Sequence, residues 1–222
     1  GGVTSYFEMP NTIPQTTTID NLNDKFKIAS KNSLANYSFM FGGTNSNLDQ
    51  IKTLDFNQIP AIKLFLGSST GDMLIDNYDV IENIMRISKV PIVVHSEDES
   101  IIKNNLEKYI KIYGEDIPVQ FHPLIRSEEA CVKSTLKIID LAKKCKSRLH
   151  VFHLSTKLES ELFEKIPLED KKITSEVCIH HLSFNDSNYN EKGSLIKWNP
   201  SIKTKSDQDG LWSALNSDKI DV

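Results

Sequence analysis

No apolar run in this sequence approaches the ~20 residues that a membrane-spanning helix needs. The opening "GGVTSYFEMPNT" has no basic segment followed by an apolar one, so it does not read as a secretory leader. Cysteine is scarce: Cys131, Cys145 and Cys178 are odd in number, widely spaced and form no C-x-x-C pair. That excludes a disulfide framework and predicts buried, reduced thiols, with the cytoplasm as the default compartment. Neither sign of charge dominates. A net charge of -4, with lysines interspersed among acids, gives no electrostatic case for nucleic acid or an anionic membrane. Glycine is sparse and forms neither G-x-G-x-x-G nor a P-loop, which removes the usual nucleotide cradles. No internal repeat, low-complexity tract or flexible linker stands out.

What the sequence has instead is alternation. Strand-like segments at 2–9, 37–43, 61–67, 91–97, 148–155 and 172–180 alternate with helical patterns. The helical patterns fall at 17–32, 47–54, 77–89, 98–113, 127–146, 157–166 and 206–216, and "KIDV" opens a last strand. Strands apolar on both faces, separated by helices, mean a parallel sheet with helical crossovers. Six or more such units without a dinucleotide fingerprint predict an α/β fold, a (β/α)8 TIM-type barrel, rather than a doubly wound sheet. The whole of 1–222 is expected to be one barrel domain, incomplete at both ends and so an internal piece of a longer protein.

In such a barrel the chemistry sits at the C-terminal ends of the strands. "PIVVH" ends in His95, "LHVFH" in His153, and "EVCIHH" in His180 and His181. A lone histidine at a strand end is more often a hydrogen-bonded structural residue than a ligand. By that rule His122, in "FHPLIRS", is structural or exposed. His150 faces opposite to His153 and packs outward against a helix, and at most one of His180 and His181 faces the mouth. Histidines on three successive strands, together with a lysine inside the apolar run "AIKLFLG", favour a metal site over separate structural roles.

That lysine, Lys63, is costly to bury as an ammonium. It has two functional readings: a Schiff-base amine with a depressed pKa, or a neutral amine that takes up CO2 as a carbamate able to bridge two cations. The bland alternative is a side chain snorkelling its head out of the barrel end.

The set "GGVTSYFEMPNT", "AIKLFLGSSTG", "PIVVHSED", "LHVFHLST", "EVCIHHLSF" and "IKWNPSIKT" resembles dihydroorotase, in the cyclic amidohydrolase group of metal-dependent barrels. The motifs follow the family's order over essentially the whole chain, and "MPNT" is the most discriminating. The resemblance implies that Lys63 is carboxylated and bridges two Zn2+ ions, and that His95 and His153 hold the more buried one. Asn11 matches the asparagine that binds the substrate's carboxylate. Asn199 is similar, more weakly, to a residue contacting the pyrimidine ring. Ser68, Ser69 and Thr70 fall where some members carry a loop over the substrate.

The family's first strand also ends in H-x-H-x-R, and its eighth strand is followed by an aspartate that is both ligand and general base. Neither lies within this chain, which is therefore expected to carry about half of the site and to be inactive alone. The implied reaction is reversible hydrolysis of dihydroorotate to N-carbamoyl-L-aspartate in pyrimidine synthesis. It calls for a small-molecule substrate and no nucleic acid or membrane partner, with homo-oligomeric assembly left open. The rivals are a hydantoinase (dihydropyrimidinase) or allantoinase, a non-catalytic homologue, and an aldolase-like Schiff-base enzyme.

Overall fold

The computed structural model of the protein describes residues 2–67 and 71–222. Strand β1 (Ser5–Glu8) leads through helix α1 (Ile19–Asn32) to β2 (Asn36–Phe39), β3 (Phe41–Gly42) and α2 (Leu48–Lys52). Next come β4 (Ile62–Phe65), α3 (Tyr78–Ile87), β5 (Ile92–His95), α4 (Glu99–Tyr113), α5 (His122–Ile125) and α6 (Glu128–Cys145). The chain continues with β6 (Leu149–Val151), α7 (Lys157–Ser160), β7 (Ile173–Ser175), α8 (Ile179–Ser183), α9 (Tyr189–Lys192) and α10 (Lys205–Asn216). β1 and β2 pair in parallel, Ser5 opposite Asn36. The other strands lie in the order β3-β4-β5-β6-β7, with Gly42 opposite Lys63 in the parallel β3–β4 pair. Spatial order equal to sequence order, with helical connections, is the strand order of a (β/α)8 barrel.

The chain divides into two compact units. The first contains β1 to β4, α1 to α3, β5 up to its last residue, and the end of α6. All four residues of β4 are buried, as expected for a parallel strand covered on both faces. In α3 the Asn77 side chain caps the amides of Asp79 and Val80, and Ile81, Ile84 and Met85 form the buried face. Burying each of these side chains contributes roughly 1.5–3 kcal/mol. Gly43 permits this packing, because a Cβ there would stand 2.4 Å from Leu64 Cδ2.

The second unit contains His95, α4, α5, most of α6, β7 and α7 to α10. Its apolar clusters centre on Ile102, Ile125 and Ala130, and on Tyr189, Ile196 and Ile202. Helix α10 opens with a capping box in which Thr204 and Asp207 each accept the other's backbone N–H. The other Asp207 oxygen accepts the Lys157 amide at 3.0 Å, fixing the start of α7. Near the end of the chain, Lys171 Nζ pairs with Asp221 Oδ1 at 2.6 Å, and both side chains are buried.

Five expectations about the elements and the thiols are corrected. The strand at 37–43 is two strands, because the Met40 amide donates to Glu8 and the Phe41 amide to Ala61, changing partners at that point. The helix over 157–166 stops at Ser160: the hydroxyl of Ser160 donates to Lys157 O, and the next amides bond only three residues back. The strand over 172–180 ends at Ser175. Its apolar continuation turns into α8, whose first residue, Ile179, is 72% exposed. The last strand does not form, although the amides of Asp221 and Val222 both donate to Ser175 O beside β7. No helix among the described residues is long and apolar enough to cross a membrane. The cysteines are free, but only Cys131 is fully buried, so the expectation of buried thiols fails for Cys145 and Cys178.

Candidate metal centre

β5 is buried at all four positions and delivers His95, 5% exposed, at its C-terminal end. The chain then turns at once into α4, capped by the Asp98 side chain on the Ile101 amide. His153 follows β6 and adopts a left-handed backbone, φ 40. That region costs a non-glycine residue about 1–3 kcal/mol and is held here by the Leu154 amide, which donates to Glu176 O at 2.8 Å. The turn brings His153 Nε2 to 3.2 Å from His95 Nδ1, with the ring centroids 4.8 Å apart and the planes at 72°.

The other nitrogen of His95 is fixed by Glu97. This carboxylate is 0% exposed, and its Oε2 lies 2.7 Å from His95 Nε2. Arg126 grips the same carboxylate, its Nε donating to Oε1 at 3.1 Å and its terminal nitrogen pairing with Oε2. Burial alone pushes Glu97 upward. The hydrogen bond and charge of His95, followed by the charges of Arg126 and Lys203, outweigh it and hold Glu97 at about 2. An ionised carboxylate only accepts, so His95 donates through Nε2–H, and in the neutral ring it is the Nδ1 lone pair that faces His153. Gly67 lies against this cluster: a Cβ there would meet Glu97 O at 2.5 Å.

These donors fit a metal ion. Two imidazole nitrogens bound tetrahedrally to zinc at ~2.0–2.1 Å stand about 3.4 Å apart, close to the 3.2 Å seen here. A carboxylate behind a ligating histidine is the usual means of setting the ring's tautomer and orientation. His95 and His153 would hold the ion, and Glu97 and Arg126 would orient the first of them.

Behind the pair lies a buried polar network. Ser96 Oγ lies 2.9 Å from Ser134 Oγ and 3.0 Å from Thr135 Oγ1, Thr135 Oγ1 lies 2.9 Å from Glu159 Oε1, and Lys203 Nζ donates to Ser201 Oγ at 2.8 Å. Burial raises Glu159 to about 7 against the opposing pull of the Thr135 hydrogen bond and the Lys203 charge.

Of the residues singled out from the sequence, the structure brings His95 and His153 together. Lys63 belongs to the first unit, on β4, and is 1% exposed, with its Nζ 4.9 Å from the centroid of the Phe65 ring. Asn11 in the first unit and Asn199 in the second are both exposed. Ser68, Ser69 and Thr70 lie outside the described residues. His122 is structural as expected: it is buried, its Nε2 lies 2.7 Å from Trp198 O, and burial lowers it to about 4. The polar partners of His150 lie on or just beyond β7 rather than on a helix, Thr174 Oγ1 at 2.8 Å and Glu176 at 3.3 Å. His180 and His181 do not point apart as strand neighbours would, since α8 sets their ring centroids 4.4 Å from each other. Glu97 and Arg126 were missed as site residues. The His-x-Glu spacing was the available signal, because residues i and i+2 of an extended chain share a side.

No family model matches the chain. It is 30% identical to an allantoinase from Bacillus licheniformis, covering 98% of this chain and 50% of that one. It is 27% identical to a dihydroorotase from Methanosarcina acetivorans, covering 100% of this chain and 48% of that one. Among solved structures, an L-hydantoinase (dihydropyrimidinase) from Arthrobacter aurescens superposes with a TM-score of 0.90 at 24% identity, over 100% of this chain and 50% of that one. The fold is therefore that of a TIM-type barrel, and the chain spans about half the length of the curated relatives it matches.

Proposed function

We propose that this chain, whose relatives support its membership of the cyclic amidohydrolase superfamily, is part of a metal-dependent hydrolase of cyclic amides, with dihydroorotate as substrate. The observation that carries the reading is the 3.2 Å approach of His95 Nδ1 and His153 Nε2, with Glu97 bonded to the far side of His95. Dihydroorotate is favoured by the "MPNT" motif around Asn11 and by the dihydroorotase relative. Allantoin is the second reading, favoured by the 30% identity to an allantoinase.

Burial of Lys63 favours its neutral amine, which can attack CO2 to form an N–C bond and release a proton, leaving a carbamate. Lys63 in that form is an anionic oxygen ligand able to bridge two cations. Glu97 keeps the His95 ring in one tautomer and one orientation. Asn11, exposed on its loop, binds the substrate's carboxylate and so sets the position of the ring. When bound, two zinc ions bring the pKa of water from ~15.7 towards neutrality and polarise the scissile carbonyl.

The test uses the full-length protein supplied with zinc and bicarbonate. Dihydroorotate is expected to turn over faster than allantoin or hydantoin, with two metals per chain. Faster turnover of allantoin removes the dihydroorotate reading and keeps the metal chemistry. Absence of both bound metal and turnover identifies a non-catalytic homologue. Lys63→Ala is expected to lower the metal content and abolish turnover, and an unchanged metal content would remove the carbamate bridge.

A further inference from the structure

A second cluster of donors sits at the entry to α8. Cys178 precedes the helix, and His180 and His181 lie within its first turn. The Cys178 Sγ and one ring nitrogen from each histidine lie within 4.8 Å of one another. His181 is 3% exposed, and its Nε2 donates to Pro200 O at 3.1 Å. Its Nδ1 is buried and has no hydrogen-bond partner among the described residues. Because the Pro200 carbonyl only accepts, the ring proton sits on Nε2, and in the neutral ring Nδ1 carries the lone pair. A buried polar atom without a partner calls for an explanation, and an absent ion or water is the usual one. His180 stacks on Trp198 with centroids 4.4 Å apart and is half-buried, so the cluster opens to solvent.

We propose that Cys178, His180 and His181 form a binding site for a divalent transition metal, separate in its ligands from the His95–His153 pair. One thiolate and two imidazoles suit zinc or cobalt and disfavour magnesium and calcium. Tetrahedral zinc needs nitrogen–nitrogen distances of about 3.4 Å and nitrogen–sulfur distances of about 3.6 Å, with a water or further ligand in the fourth position. The half-buried His180 ring can close the remaining gap. Binding forms a sulfur–metal bond and releases the thiol proton to solvent. That proton is held tightly, because burial and the charge of Glu176 raise the thiol to about 11. Simple packing of three side chains would account for the stacked rings and leave the His181 Nδ1 unexplained.

The test is a Co2+ titration of the full-length protein after chelation. A thiolate-to-cobalt charge-transfer band is expected in the near ultraviolet, and the His95–His153 pair contains no sulfur that could produce it. Cys178→Ser should abolish the band, Cys145→Ser and His95→Ala should keep it, and His180→Ala should weaken cobalt binding at least tenfold. A missing band at saturating cobalt, or a band unchanged in Cys178→Ser, overturns the site and leaves a bound water as the partner of Nδ1. Should Cys178→Ser not fold, alkylation of the wild-type thiol decides the same question. Zn2+ should protect Cys178 from iodoacetamide, and equal labelling with and without Zn2+ overturns the proposal.

Discussion

His95 presents Nδ1 to His153 and Nε2 to Glu97, at 3.2 Å and 2.7 Å, so one ring joins a candidate metal position to a buried ion pair. The order is ligand, carboxylate, guanidinium, because Arg126 closes the far side of Glu97. Positioning of the ligand and stability of the second unit therefore share one side chain.

Glu97→Gln should lower metal affinity 10–100-fold, the usual effect of losing a carboxylate behind a ligating histidine. It should also destabilise the protein by about 3–5 kcal/mol, because the buried Arg126 loses its counter-charge. The double variant Glu97→Gln/Arg126→Gln should recover much of the stability and none of the metal affinity. Metal titration and urea unfolding check the two effects separately, and recovery of both together would contradict this division of roles.

Glu159 should make the protein less stable as pH rises. Its folded-state pKa of about 7 lies above the ordinary 4.5, so the folded chain holds the proton more tightly than the unfolded one. Its contribution is complete below the ordinary value and is lost as pH rises through about 7, with an upper limit of about 3 kcal/mol. Glu159→Gln should flatten the stability curve between these values, as measured by urea unfolding at a series of pH values. A slope identical to wild type would show that Glu159 stays ionised.

Gly67→Ala should destabilise by about 1–3 kcal/mol, the range for forcing extra volume into a packed site. The new Cβ would lie 2.5 Å from the backbone oxygen of Glu97, which cannot rotate away as a side chain could. The urea midpoint measures the loss, and a wild-type midpoint would mean that Gly67 can shift away from Glu97 at no cost.

Asp221→Ala should cost about 3–5 kcal/mol by leaving the buried Lys171 ammonium without its anion. Lys171→Met/Asp221→Leu, which removes both charges, should cost much less. Thermal unfolding of the three proteins checks the order, and additive losses in the double variant would show that the pair is not coupled.

The barrel was legible because its long buried strands announce themselves. "AIKLFLG" and "PIVVH" are apolar at consecutive positions, and the structure buries β4 and β5 throughout. Failures came where apolar residues are not buried. Val177, Cys178 and Ile179 extend a strand pattern in the sequence, yet Ile179 is largely in solvent on α8. Of the candidate site, the strand-end histidines could be read directly, since their position follows from strand boundaries. Arg126 could not, because it reaches Glu97 from the end of a four-residue helix that carries no periodicity. The left-handed turn at His153 was equally hidden, because nothing in "VFHLS" marks a residue other than glycine for positive φ.

The grip of Arg126 on Glu97 bears on how the protein would be loaded in a cell. In a zinc finger the ion itself folds the site, so chelation unfolds the chain. Here an ion pair within the protein holds His95 in place, and the Ser201 hydroxyl ties the Arg126 carbonyl to a third segment at 3.0 Å. A receptacle held by its own ion pair is expected to form without the ion's help, so that chelation should remove a metal without unfolding the chain.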